Sequence, residues 1–106
     1  MTNIQIIATD LADYPWGMNA YMTDTENAWR ELRVNFSRLQ IQQAIVRELA
    51  RMDVAAWNEY QRAIDAFNVG EISREAVVQA NERTYRIRQR LNNCTRELNR
   101  QLAKAA

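Results

Sequence analysis

The stretch that decides the fold is Asn68-Val69-Gly70-Glu71-Ile72-Ser73 with the run after it: Val77, Ala80, Thr84, Ile87, Leu91, Cys94 and Leu98. That run steps by three and four residues without exception, the seam of a coiled-coil-like helix. Leu102 lies one turn beyond Leu98 and extends the apolar face. Just before the seam, Gly70 supplies the left-handed residue that closes a preceding helix. Ser73 suits the N-cap of the next helix, and Ile72 is placed to staple onto Val77. Glu75 in the first turn suits the positive end of the helix dipole. A connection this short joins antiparallel neighbours. The seam therefore belongs to a helical hairpin.

Toward the N-terminus, Thr23-Asp24-Thr25-Glu26 reads as a capping box that opens the partner helix. Trp29, Leu32, Phe36, Leu39, Val46 and Leu49 follow helical spacing, and Met52, Ala56, Tyr60, Ala63 and Phe67 continue it. Near residues 46–52 the steps contract to three, a stammer that bends a coiled helix, and Asp53 beside it is a competent N-cap. The spacing predicts one bent helix over 23–69, a turn at 70–72 and a helix over 73–104. It predicts three helices if Asp53 opens a new one. Residues 1–22 read as a separate N-terminal arm. Ile4, Ile6 and Ile7 suit a short strand there, Thr9 or Asp10 could cap one helical turn, and Tyr14-Pro15-Trp16-Gly17 enforces a turn. The expectation is an all-α protein with an arm over 1–22 and a hairpin domain over 23–106.

Composition supports this class. The 106 residues hold only two Gly and one Pro, too few to punctuate the many short strands of a sandwich or barrel. No apolar run approaches the length of a membrane span. A single cysteine, Cys94, forms no intrachain disulfide, and the first residues lack the basic and apolar regions of a signal peptide, so a cytoplasmic protein is expected. The absence of His removes His-based catalysis and most zinc chemistry. Asp10 and Asp13 have the spacing of an acid–base pair, but ordinary helix-start acids are the favoured reading. Cys94 sits on the seam without a basic partner and reads as a small buried hydrophobe. The expectation is a protein that is not an enzyme and takes no cofactor and no metal.

Length bears on assembly. A helix over 23–69 spans about 70 Å and one over 73–104 about 48 Å, so the second runs out near residues 38–40. Trp29, Leu32, Phe36 and Leu39 are then left uncovered, a large apolar patch for a monomer. The patch predicts a homo-oligomer, a protein partner, or an arm folded over it.

Two surfaces compete for function. Tyr14, Trp16 and Tyr21 in the arm, with Trp29 and Phe36, are aromatic anchors of the kind that carry protein interfaces. The chain has a formal net charge of +1, but residues 71–106 hold eight basic and four acidic residues. Within that helix Arg83, Arg86 and Arg90 share a face, which Arg100 and Lys104 continue. Such a stripe can track phosphates. Glu82 and Glu97 stand within pairing distance of Arg86 and Arg100, and Tyr85 alone supplies aromatic interleaving, which favours a solvated face. The leading expectation is a non-enzymatic protein–protein interaction module, an inhibitor or adaptor of the size of a bacterial or phage accessory protein, acting by stoichiometric binding. The alternatives are a nucleic-acid-binding accessory protein using the last helix, or a structural subunit of a helical assembly.

Overall fold

The computed structural model describes residues 1–13 and 23–105, and these form four helices without a strand. They are α1 (Asn3–Asp13), α2 (Thr23–Asn35), α3 (Arg38–Asn68) and α4 (Arg74–Ala105). The hairpin is α3 and α4, whose packing is the most extensive among the described helices. The Thr84 hydroxyl donates to the Ala56 carbonyl at 3.2 Å, and Arg88 Nε meets Asp53 Oδ1 at 3.3 Å. Numbering falls along α3 as it rises along α4, so the pair is antiparallel.

The turn between them is built as its residues require. Gly70 has φ +79°, its N–H donates to the Phe67 carbonyl at 3.0 Å, and the Glu71 N–H reaches the Ala66 carbonyl at 2.9 Å. These two bonds make a Schellman motif, which satisfies carbonyls that the helix end leaves open. Ser73 Oγ then accepts from the Ala76 N–H at 3.3 Å and caps α4.

The long helix expected over 23–69 is two helices, and the break lies at Phe36-Ser37, not near Met52. Ser37 is extended, its hydroxyl accepts from the Gln40 N–H at 3.1 Å, and Gln40 Oε1 accepts from the Ser37 N–H at 2.9 Å. This reciprocal pair is a capping box with Gln in the acidic slot. It satisfies first-turn amides of α3 that a continuous helix would have bonded internally. In an unbroken helix Trp29 and Ile45 would stand about 24 Å apart along the axis. Here they line the same cleft, so α2 folds back. Asp53 caps nothing. It lies inside α3 and pairs with Arg88.

Residues 3–13 are likewise a helix and not a strand. Thr2 Oγ1 accepts from the Gln5 N–H at 3.2 Å, and Gln5 Oε1 accepts from the Thr2 N–H at 2.9 Å, a second capping box of the same kind. Ile4, Ile7, Ala8 and Leu11 recur at helical spacing and make α1 amphipathic. Ile7, Ala8 and Ala12 are buried, and α1 contacts all three other helices. The small Ala8 and Ala12 let the backbones approach closely. Asn3 Nδ2 donates to Glu31 Oε2 at 2.8 Å and ties α1 to α2.

The core runs through Ile7, Ile41, Ile45, Leu49 and Ile87, where α1 and α2 lie on the hairpin. Each fully buried aliphatic side chain contributes roughly 1.5–3 kcal/mol. The stripe expected to lie bare is largely accounted for within the chain. Trp29 and Leu32 are half-buried against this core, and α1 is what covers them.

Candidate interaction surfaces

Three surfaces carry groups that a ligand or partner would meet. The first is a cleft of about 210 Å³ to which every helix contributes. Leu11 of α1, Trp29 of α2, Gln42 and Ile45 of α3, and Cys94 of α4 line it, with Arg90 and Glu97 beside them. Burial raises the Cys94 thiol above its usual range, against a smaller opposing pull from Arg90. The thiol is therefore neutral near pH 7 and a poor nucleophile. Arg33 lies 5.5 Å from the Trp29 ring centroid, so that ring serves as a platform for its own helix.

The second surface is the α2–α3 elbow. The break that caps α3 also leaves Phe36 without a helical neighbour to cover it, and it is 51% exposed. Val34 beside it is 78% exposed. Phe36 borders a groove of about 330 Å³ lined by Ile4, Leu32, Ile41 and Ala44, with Gln40, Gln43 and Arg47 on its polar side. Here an apolar floor lies next to an exposed aromatic.

The third surface lies on the hairpin flank where Asp53 pairs with Arg88. Arg88 also lies 5.7 Å from the Trp57 ring centroid, and Trp57 meets Tyr60 at 5.9 Å in a tilted arrangement. Trp57 remains 44% exposed.

The arginines of α4 do not form one solvated row. Arg83, Arg86 and Arg90 are half-buried. Arg83 faces Asp13 of α1 at 3.9 Å, and it borders a polar recess with Thr9, Glu48 and Glu59. Arg90 borders the four-helix cleft. The physical reason is the second layer: α1 lies along this flank of α4, so residues beside the seam are covered. Arg86 Nε and Arg83 Nη1 are buried without hydrogen-bond partners, as is one carboxylate oxygen of the buried Asp10. Arg100 pairs with Glu97 at 2.7 Å, and hydrogen bonds from Arg100 and Gln101 hold the Glu97 carboxyl below its usual range. Lys104 is exposed near the end of α4.

Of the expected anchors, the structure places Trp29 in the cleft and Phe36 at the elbow. Tyr14, Trp16 and Tyr21 lie outside the described residues. Asp10 and Asp13 lie in the last turn of α1 and start no helix among the described residues, and neither Thr9 nor Asp10 caps one, because α1 already begins at Asn3. Asp10 is buried and Asp13 faces Arg83. Among the described residues no group of His, Cys, Asp and Glu has the arrangement of a metal site, and no helix is long and apolar enough to cross a membrane. Reading the sequence missed Leu11, Gln42 and the groove residues Ile4 and Ala44. The signal for Ile4 and Leu11 was their helical spacing with Ile7; Gln42 and Ala44 carried none. No family model matches the chain, nor does any curated protein or solved structure.

Proposed function

We propose that the protein is a non-enzymatic interaction module that binds another protein stoichiometrically through the α2–α3 elbow. The observation that carries this reading is Phe36, half-exposed beside an apolar groove on a rigid corner. An aromatic ring adjoining a concave apolar floor with a polar edge is the anatomy of an interface hot spot. The Ser37 cap fixes the corner, so a partner meets a preorganised surface and little ordering entropy is lost on binding.

The phosphate-tracking alternative receives less support from the same structure. Arg83, Arg86 and Arg90 are half-buried on the helix that α1 packs against, and Arg100 is engaged with Glu97. The test is affinity capture from the native cell with wild type, Phe36→Ala, and a triple Arg83/Arg86/Arg90→Gln variant. The reading expects one partner retained by wild type, lost by Phe36→Ala, and held by the wild type at raised salt. Retention by Phe36→Ala, or a steep loss of wild-type binding with added salt, would overturn it.

A further inference from the structure

The hairpin has two flanks; α1 occupies one of them, and α2 packs chiefly on α1. The other carries Asp53, Trp57, Tyr60 and Ile64 on α3, spaced by four, three and four residues, with Val77 and Arg88 opposite on α4. From Trp57 to Arg83 no residue is buried, although this stretch of two helices includes Tyr60, Ala63, Ile64, Phe67, Val77 and Ala80. A helix with an apolar stripe is stable when that stripe meets another element. At the near end α1 supplies that element; along this flank no described residue does.

We infer that a second copy of this chain docks on the Trp57 flank, related by a two-fold axis, to complete a four-helix bundle from two hairpins. Size fits this occupant. Val46 and Asn68 each stand eleven residues, about three turns, from Trp57 and so share its face of α3. The flank between them is about 34 Å long and two packed helices are about 20 Å wide, which gives on the order of 700 Å² per copy. A standard stable interface covers about 800 Å² per partner. Charge fits as well. Each copy presents Asp53 and Arg88 together on the flank, 3.3 Å apart, so a two-fold mate brings a carboxylate and a guanidinium and no single-sign field. Arg88 lies against the Trp57 ring, which presents an apolar platform with its cation already neutralised. A symmetric interface needs this kind of self-complementary patch.

This inference rests on a different face from the elbow, so the two readings fail separately. The experiment is light scattering across a dilution series of the full chain, with Trp57→Glu, Ile64→Glu and Phe36→Glu as variants and helicity checked for each. The expected wild-type mass approaches twice 12.4 kDa and falls toward the monomer on dilution. Trp57→Glu and Ile64→Glu each weaken association by at least about tenfold, as removal of a central anchor does, and Phe36→Glu leaves it unchanged. Because Trp57 is already half-exposed, Trp57→Glu is compatible with a folded monomer, and Ile64→Glu is an independent check. A wild-type monomer at every concentration would overturn the inference. So would a dimer that survives both flank variants or is broken by Phe36→Glu.

Discussion

The two halves of the hairpin differ in what lies beside them. In the near half, Ile41, Ile45, Leu49, Met52 and Ala56 of α3 and Thr84, Ile87 and Leu98 of α4 are buried. In the far half the same two helices continue with the same periodicity, and nothing is buried. The apolar stripe does not change between them; the presence of α1 and α2 does. Two helices can hide only the line along which they touch, so a third and fourth convert a seam into a core. Stability is therefore expected to be unevenly distributed along α3.

Truncation of a side chain in each half should give the largest contrast in stability. Leu49→Ala removes a fully buried side chain and is expected to cost about 2–5 kcal/mol. Phe67→Ala in the far half, where the ring is 43% exposed, is expected to cost less than about 1 kcal/mol in dilute solution. Urea unfolding of both variants checks the contrast, and equal losses would contradict it. Ile7→Ala sharpens it from the side of the covering layer. Its side chain is buried among the core residues, so a loss of about 2–5 kcal/mol in a single transition is expected. A small separate transition would instead show α1 to be an appendage.

Smaller effects are expected at the two chain reversals. Ser37→Ala removes a cap and is expected to cost about 1 kcal/mol. Gly70→Ala meets no neighbouring atom within 4 Å, so its whole cost comes from the positive φ, about 1–2 kcal/mol. Gly70→Asn should cost less, because Asn tolerates that conformation. Thermal unfolding distinguishes the three. Smallest is the contribution of Glu97. Its folded carboxyl titrates below the ordinary value, so its stabilisation is present above that value and lost as pH falls through the folded one. The difference in midpoint between wild type and Glu97→Gln should be slight at pH 7 and vanish in acid, since the pair is exposed.

The hairpin, its turn and the seam were legible because Gly70, Ser73 and the unbroken three-four run each act locally. The elbow was legible as well, in Ser37-Arg38-Leu39-Gln40, but Gln in the fourth position is a quieter signal than Glu. Thr2-Ile4 with Gln5 hid the start of α1 in the same way, and the β-branched Ile4, Ile6 and Ile7 favoured a strand reading that packing overrode. The lengths of the two hairpin helices also mark the break. The last helix runs out near residues 38–40, and α3 begins at Arg38, so the two hairpin helices match in length. The covered state of Arg83, Arg86 and Arg90 was not legible, because it depends on where α1 docks, which no spacing within α4 records. The groove at Phe36 was not legible for the same reason.

Amide hydrogen exchange along α3, measured in solution dilute enough to keep the chain monomeric, addresses the difference between the halves directly. Amides from Ile41 to Ala56 are expected to exchange only with global unfolding, while those from Trp57 to Asn68 exchange more than about tenfold faster through local opening. Equal protection along the whole of α3 in the monomer would contradict it.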